Sequence, residues 1–399
     1  MNMSFTILKK DSTTQARLGL LRTPHGTVQT PAYVMVATHA QIKTLKPSDI
    51  KKTKTQIVIA NTYHLWEKTT DENKELRKKN KGRQTFILKR LGTRLPTMTD
   101  SGGFQVFSFG AAKEHGVGKV LKRSAQSKVQ SQTSKVAITE KGVSFVMDGK
   151  KKFLSPELSI KLQEQIGADI IFAFDECTSP LHPFAYNKNA MLRTHRWLKR
   201  CVAAHRRTDQ LLYGIIQGGR FASLRKASAK FVGSLPVGGI GIGGSFGKDE
   251  MVKTLRDITP YLPEDKPRHL LGIGSLEDIF NAIESGMDTF DCVIPTREAR
   301  HGKIYANPRP YNIGRAEFAN SKSRLDPGCK CPACSQGITR GKLRALFKAK
   351  DFKAGRYATL HNLWFFNTLL EKIRKAISHG TFKKIKKQYL KNLGNLTVN

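Results

Sequence analysis

Short apolar runs that each end in glycine or polar residues recur along the middle of the chain, and this feature constrains the fold most strongly. Seven such runs occur between about residues 55 and 300: QIVIANTYHL, PTMTDSGG, DIIFAFDE, LLYGIIQGG, GGIGIGGS, HLLGIGS and DTFDCVIP. Amphipathic segments with helical periodicity lie between several of them, such as SPELSIKLQEQIG and SLEDIFNAIESG. Strands that alternate with helices predict a parallel sheet. The number of units favours a (β/α)8 barrel of the TIM type over an open doubly wound sheet.

Polar residues and glycines follow the predicted strands at their carboxyl ends. These residues are Asp100, Asp175, Gln217, Gly244 and Asp291. Because an α/β barrel gathers its chemistry at the carboxyl ends of its strands, these side chains are the first candidates for a functional site.

A cluster of thiols in SRLDPGCKCPACSQ predicts a metal site. Cys329, Cys331 and Cys334 are three of the six cysteines, and His361 follows in the apolar segment TLHNLWFF. Three thiolates and an imidazole form a closed tetrahedral shell, which suits one structural Zn²⁺ per subunit, with an iron–sulfur site as the alternative. A histidine alone in this setting would be interpreted as a core residue, and its pairing with the thiols makes it a candidate ligand. Thiols in a metal pattern also indicate a reducing compartment, and we expect a cytoplasmic protein.

The charge of the chain is strongly positive. Lys and Arg number 69 against 31 Asp and Glu, which gives a formal net charge of +38. Such a charge attracts polyanions, and nucleic acid is the commonest of these, although a lysine-rich solvated surface is the alternative. No stretch is apolar for long enough to suggest a membrane span. The basic stretch 111–135 is expected to be a mobile loop that touches phosphate or a surface insertion without a role.

Two aspartates that follow apolar strands, in TDSGG and TFDCV, suggest chemistry at a sugar carbon. Two carboxylates can divide the roles of nucleophile and acid/base there, as in retaining glycosidases, although an aspartate at a strand end is often a helix cap. GGIGIGG also matches G-x-G-x-x-G at Gly239, Gly241 and Gly244, which would indicate a dinucleotide site. That motif is weak here because SFGKDE delays the following helix, and close approach of the backbone to a planar ligand is the preferred interpretation.

Taken together, these motifs resemble tRNA-guanine transglycosylases of the bacterial type. The matching stretches are NTYHL, MTDSGGFQVFS, FLSPE, FDECT, GIIQGG, FDCVIPTREARHG and C-x-C-x-x-C with His361, in order over roughly residues 15 to 375. The resemblance implies a barrel with an inserted zinc subdomain. It also implies exchange of the wobble guanine of tRNAs with GUN anticodons for a 7-deazaguanine, expected to be 7-aminomethyl-7-deazaguanine, through a covalent tRNA intermediate in queuosine biosynthesis.

The resemblance implies a role for each matching residue. Asp291 would attack the anomeric carbon of the ribose, and Asp100 would act as general acid/base. The residues expected to bind the base are Asp175, Gln217, Gly244, Phe104, Leu271 and Cys177. Arg297 and Arg300 are expected to hold the anticodon bases that flank the target, a task that suits planar guanidinium groups.

Several expectations concern organisation and substrate. We expect a catalytic barrel over residues 1–314, with its basic insertion at 111–135, and a zinc subdomain with a C-terminal helical segment over 315–399. The family usually forms homodimers, which the resemblance implies here. Ser245 stands where leucine is common, in a shortened glycine loop that senses the 7-substituent, so queuine is an alternative substrate. A non-catalytic tRNA-binding partner subunit is a further alternative, and the presence of both Asp100 and Asp291 speaks against it.

Overall fold

The structure is a computed structural model, and it describes residues 3–69, 85–103, 136–147, 149–243 and 250–394. The chain divides into two compact units. Unit 1 comprises Met1–Ala60, Arg83–Met98 and Pro267–Asn399, and unit 2 comprises Asn61–Gly82 and Thr99–Lys266. The predicted domain boundary at residue 314 stays a prediction. None of the helices in the described ranges is long and apolar enough to cross a membrane.

Eight strands close into one barrel, which confirms the predicted fold class. In the described residues the strands are β1 (Ser4–Lys10), β2 (Arg17–Thr23), β3 (Gly26–Thr30), β4 (Ala32–Val36), β5 (Val58–Ala60), β6 (Thr97–Thr99), β7 (Ala137–Ile138), β8 (Val143–Met147), β9 (Lys150–Leu154), β10 (Ile170–Phe172), β11 (Leu211–Ile216), β12 (Gly239–Ile242), β13 (Arg268–Leu270), β14 (Thr289–Cys292), β15 (Lys303–Ile304) and β16 (Tyr311–Asn312). The barrel order is β10-β11-β12-β13-β14-β4-β5-β6. Neighbouring barrel strands pair in parallel, as where Asp291 of β14 lies opposite Val34 of β4. Seven barrel strands come from the seven predicted runs, and β4 is the one that the pattern did not reveal.

Barrel strands are buried on both faces, which explains why their sequences are continuous apolar runs rather than alternating ones. Every residue of β5, β6, β10 and β12 is buried. Glycines allow close packing inside the barrel, since a Cβ at Gly239 would lie 2.3 Å from the ring of Tyr213. Gly239 and Gly241 therefore serve strand packing, which accounts for two glycines of the G-x-G-x-x-G match.

Helices lie between the strands as the periodicity predicts. Their bounds are Pro47–Lys51, Phe86–Leu91, Pro156–Ile166, Phe184–Ala204, Ala222–Gly233, Met251–Ile258, Leu276–Glu284, Ile294–Arg300, Pro332–Ser335, Arg340–Lys348, Phe352–Ser378 and Phe382–Gly394, with a further helical stretch at 62–69. Two of them begin at serine caps, because Ser155 accepts a hydrogen bond from the Leu158 amide and Ser275 accepts one from the Asp278 amide. The last of these helices, Phe382–Gly394, lies in the C-terminal segment.

Smaller antiparallel sheets accompany the barrel. They consist of β1-β2-β3, β7-β8-β9 and β15-β16. In unit 1, a buried ion pair links β2 to the start of β14: Nε and Nη2 of Arg17 donate to the two carboxylate oxygens of Asp288, at 2.9 and 2.6 Å. Asp288 also accepts a hydrogen bond from the Arg268 amide at 2.7 Å. A fork-shaped guanidinium that meets a carboxylate in this way fixes the orientation of both groups.

Candidate functional site

Asp100 follows β6, and its carboxylate is held by three donors within unit 2. The amides of Thr62 and Gly102 donate to Oδ1 at 3.1 and 3.0 Å, and Nδ2 of Asn61 donates to Oδ2 at 2.5 Å. Gly102 has a φ of +80°, a conformation that glycine adopts without strain. These donors fix the position of the carboxylate at the strand end.

Asp175, Gln217 and Cys177 lie together in unit 2, next to the residue that follows Asp100. Gln217 Nε2 donates to Asp175 Oδ2 at 2.6 Å, and the Cys177 thiol lies 3.6 Å from the same oxygen. Ser101 Oγ donates to Asp175 Oδ1 at 3.4 Å. Gly103 permits this arrangement, because a Cβ there would lie 3.1 Å from the Asp175 carbonyl oxygen. The structure therefore brings together three of the residues that the sequence assigns to the base.

The electrostatics of this cluster suit a ligand that donates hydrogen bonds. Burial raises the pKa of Asp175 to about 6, against the opposing effect of its hydrogen bonds from Gln217, Cys177 and Ser101. The group is therefore largely ionised at neutral pH. Desolvation and the nearby Asp175 carboxylate raise the pKa of the Cys177 thiol well above its usual range, so that it stays protonated. Gln217 Oε1 is buried and accepts no hydrogen bond within the described part of the chain, which leaves an acceptor for a bound molecule.

A buried arginine fixes the backbone on either side of Gln217. Arg225 donates from Nε to the Gly219 carbonyl at 2.7 Å, and from Nη1 to the carbonyls of Ile216 and Gly243 at 3.1 and 2.5 Å. These carbonyls belong to the segments that follow β11 and β12. The guanidinium of Arg225 therefore connects the turn that contains Gln217 with Gly243.

Asp291 lies in β14 of unit 1, with its side chain 16% exposed. His269 Nε2 lies 3.1 Å from Asp291 Oδ1, and the Gly272 amide donates to the same oxygen at 3.2 Å. The Tyr33 hydroxyl donates to the carbonyl of Cys292, the next residue. The carboxylate is therefore partly open to solvent and oriented through one of its two oxygens.

The remaining predicted contacts in unit 1 differ in exposure. Arg297 is exposed and Arg300 is half-buried, both in the helix Ile294–Arg300, and Leu271 is half-buried just after β13. Arg300 Nη1 donates to the Thr296 carbonyl at 3.0 Å, within the same helix. Burial and the charge of Arg297 lower the pKa of Arg300 from its usual value. Two cationic groups one helical turn apart present a surface that suits phosphate or unpaired bases.

Cys329, Cys331, Cys334 and His361 form a buried cluster, as predicted, whose ligand atoms all lie within 4.8 Å of one another. His361 Nδ1 lies 3.4 Å from the Cys331 sulfur, and His361 Nε2 lies 2.8 Å from the Tyr305 carbonyl. With its proton on Nε2, the ring turns a free Nδ1 lone pair toward the three sulfurs. Amides of the loop also donate to sulfurs, as from Cys334 to Cys331 at 3.3 Å. Three thiols and one imidazole fit a metal ion of the zinc type with no open position.

The neighbour of His361 connects the metal cluster to the arginine helix within unit 1. Asn362 is fully buried, and its Nδ2 donates to the Pro295 and Lys303 carbonyls at 3.1 and 3.0 Å. Its Oδ1 accepts a hydrogen bond from the Tyr305 amide at 3.0 Å. The segment that packs on the thiols is therefore also fixed to the helix that carries Arg297.

Three expectations fall outside the described residues: those on Phe104, on Gly244 with its neighbour Ser245, and on the basic stretch 111–135. The structure also identifies residues to which the sequence analysis gave no role, namely Asn61, Arg225 and His269. A signal for His269 existed, because a histidine within the otherwise apolar run HLLGIGS requires a polar partner when that strand is buried. Asn61 lay in a quoted motif, but its partner is 39 residues away along the chain.

The chain is similar to known proteins over nearly its whole length. Residues 11–395 match the family described as "Queuine tRNA-ribosyltransferase". The chain is 41% identical to the queuine tRNA-ribosyltransferase of Herpetosiphon aurantiacus, over 97% of this chain and 92% of that protein. It is 38% identical to the protein of that name from Halothermothrix orenii, over 99% of both chains. It is 39% identical to that of Symbiobacterium thermophilum, over 98% of this chain and 91% of the other.

Proposed function

Because the chain belongs to the queuine tRNA-ribosyltransferase family and is a tRNA-guanine transglycosylase, we propose that it replaces the wobble guanine of tRNAs with GUN anticodons by 7-aminomethyl-7-deazaguanine. The observation that carries the proposal is the Asp291 carboxylate, which is partly exposed at a barrel strand and oriented through one oxygen by His269 and Gly272. A carboxylate fixed in this way is suited to attack a sugar carbon.

The reaction proceeds in two displacements at the ribose C1′ atom. In the first, an Asp291 oxygen bonds to C1′ while the bond from C1′ to guanine breaks, and guanine leaves with the electron pair and takes up a proton from Asp100 in its acid form. In the second, the incoming base attacks C1′, the Asp291–C1′ bond breaks with its electron pair returning to the carboxylate, and Asp100 accepts the proton that the base gives up. One proton thus shuttles through Asp100, and no ATP is consumed.

Base recognition rests on Asp175 and Gln217. A guanine-like edge presents N–H donors beside a carbonyl oxygen, and donors require acceptors in a buried site. The largely ionised Asp175 and the free carbonyl oxygen of Gln217 supply such acceptors. The protonated Cys177 lines the same cluster without acting as a nucleophile. Gly244, with Phe104 and Leu271 stacking on the base, completes the proposed contacts.

The metal and tRNA contacts are proposed on separate grounds. The thiol and imidazole cluster holds one structural Zn²⁺, which stabilises the segment around it and supplies no chemistry to the exchange. Arg297 and Arg300 hold the bases that flank the target, and the net charge of +38 steers tRNA to the protein. A cytoplasmic homodimer is the proposed working form.

The deciding experiment is incorporation of labelled guanine into an unmodified GUN-anticodon tRNA by the parent protein and by Asp291→Asn. We expect exchange by the parent and none by the variant, with folding, metal content and tRNA binding retained by both. A metal-loaded parent that binds tRNA and exchanges nothing would contradict the proposal and favour the non-catalytic subunit. Competition of queuine and 7-aminomethyl-7-deazaguanine for the labelled tRNA then identifies the natural base. Equal turnover of the two would show that neither is the exclusive substrate.

A further inference from the structure

His269 lies in the middle of a hydrogen-bonded chain that ends on Asp291. Its Nδ1 lies 2.9 Å from the Thr289 hydroxyl, and its Nε2 lies 3.1 Å from Asp291 Oδ1. Both His269 and Thr289 are fully buried. Because a carboxylate oxygen accepts and does not donate, Nε2 carries the proton, and in the neutral ring Nδ1 accepts from Thr289. The hydroxyl of Thr289 thereby selects the tautomer of the ring.

The Gly272 amide is a second donor to the same oxygen. Gly272 has a φ of +73°, which glycine adopts without strain and which orients its N–H group toward Asp291 Oδ1 at 3.2 Å. Within the described residues, no hydrogen bond reaches the other oxygen, Oδ2. The two oxygens are therefore unequal: Oδ1 accepts from two fixed donors, and Oδ2 keeps its lone pairs for another atom.

We propose that His269 is a positioning residue that makes Oδ2 of Asp291 the attacking atom and that favours its release from the sugar in the second displacement. This inference rests on the proposed role of Asp291. In the adduct, the bond from Oδ2 to C1′ leaves Oδ1 as the carbonyl oxygen of an ester. That oxygen is neutral and accepts hydrogen bonds more weakly than a carboxylate oxygen does.

The sign of the effect on the adduct follows from this difference. Donors on Oδ1 stabilise the free carboxylate more than the ester, so they shift the equilibrium from the adduct toward free enzyme and completed tRNA. Loss of the Nε2 donor should therefore make the adduct harder to discharge. A merely structural role for His269 would instead lower adduct formation and turnover together.

The test measures the covalent protein–tRNA adduct on a denaturing gel while guanine is titrated into the mixture. We expect His269→Leu to require about tenfold more guanine than the parent to discharge half of the adduct, the loss typical of one hydrogen bond to a charged acceptor. His269→Gln, whose amide offers an N–H near the place of Nε2, should remain within about twofold of the parent. An unchanged or lower guanine requirement in a folded His269→Leu protein overturns the proposal.

Thr289 supplies the matched pair of controls. Thr289→Val removes the hydroxyl that fixes the ring and keeps the shape of the side chain, so the guanine requirement should rise about threefold, whereas Thr289→Ser should leave it unchanged. If His269→Leu does not fold, Thr289→Val decides, and an unchanged value there overturns the proposal. A parent that forms no adduct, or an Asp291→Asn variant that does, would instead refute the nucleophile assignment itself.

Discussion

Asn61 donates a hydrogen bond from Nδ2 to Oδ2 of Asp100, with 2.5 Å between the two atoms, although 39 residues separate them along the chain. The side chain of Asn61 is buried and therefore cannot exchange this partner for water. Asn61→Ala should leave Asp100 less well oriented and lower the rate of base exchange about tenfold to a hundredfold, with little change in tRNA affinity. Single-turnover rates and tRNA binding measured on the same preparation check this.

Thr62→Ala is the matched comparison, because it keeps the backbone amide that donates to the Asp100 carboxylate and removes only the hydroxyl that donates to the backbone carbonyl of Asp100. A rate loss in Thr62→Ala as large as that in Asn61→Ala would contradict the specific role of the Asn61 amide.

The ionised form of Asp175 should destabilise the folded protein at neutral and alkaline pH. Its pKa is raised by burial from 3.8 to about 6 in the folded protein. Stability linked to this group is therefore fully present below pH 4 and is lost as the pH rises through about 6. At pH 8, Asp175→Asn should therefore unfold at a higher temperature than the parent, and its unfolding free energy should be higher by at most about 3 kcal/mol. At pH 4 the variant should be no more stable than the parent.

The same substitution should weaken binding of the base at every pH, because the anionic acceptor is gone. In the parent, base affinity should fall as the pH decreases through about 6. Thermal unfolding and base titration over pH 4 to 8 test both statements. A stability difference between the two proteins that does not change with pH would show that Asp175 is not the titrating group.

Asp288 and Asp291 stand three residues apart at β14, and they should separate stability from activity. Asp288 is buried against Arg17 and the Arg268 amide, whereas Asp291 is partly exposed. Breaking a buried ion pair by removing one partner costs about 3 to 5 kcal/mol. Asp288→Asn should therefore lower the unfolding free energy by this amount and retain exchange at low temperature. Asp291→Asn should instead abolish exchange and leave the unfolding free energy nearly unchanged. Denaturant unfolding and guanine exchange on both variants provide the comparison.

Metal removal should destabilise the protein. Cys329, Cys331, Cys334 and His361 are buried, and without an ion their sulfurs would crowd together in an apolar setting. Chelation, or Cys331→Ser, should lower the unfolding temperature and reduce the zinc content from one ion per chain to none. Cys201→Ser, at a buried thiol outside the cluster, should keep the ion. Retention of zinc by Cys331→Ser would contradict the ligand assignment.

Binding of tRNA should depend steeply on salt. The chain carries a formal net charge of +38, and each phosphate contact contributes roughly −0.7 to −0.9 to the slope of log affinity against log salt. Arg297→Gln should make this slope less negative if the arginine contacts phosphate, and should weaken affinity without changing the slope if it contacts bases. A flat slope for the parent protein would contradict electrostatic attraction of tRNA.

Much of the fold was predictable from local patterns. Seven barrel strands, helices between them and the four-residue metal cluster follow from apolar runs, helical periodicity and thiol spacing. β4 escaped because its run AYVMVA, which is followed by the polar residues Thr38 and His39, lies outside the stretch from about residue 55 to 300 in which the alternation of strands and helices is evident. The small sheets β1-β2-β3 and β7-β8-β9 escaped because their strands are partly exposed, and because β1 and β9 also contain runs of lysine, which weakens the apolar signal.

The candidate site was predictable in its residues but not in its contacts. Asp100, Asp175, Gln217 and Asp291 were identified by their places at the strand ends. Their partners are distant along the chain, as with Gln217 and Asp175, which are 42 residues apart. Such pairings arise where neighbouring parallel strands end side by side, and no local periodicity encodes them.

The position of Asn362, which donates to the Pro295 and Lys303 carbonyls and directly follows His361, links the metal cluster to the helix with Arg297 and Arg300. With these arginines as the proposed tRNA contacts, loss of the ion should loosen the helix and weaken the capture of tRNA. Metal-depleted protein should therefore need more tRNA, rather than more of the base, to reach half of its maximal exchange rate.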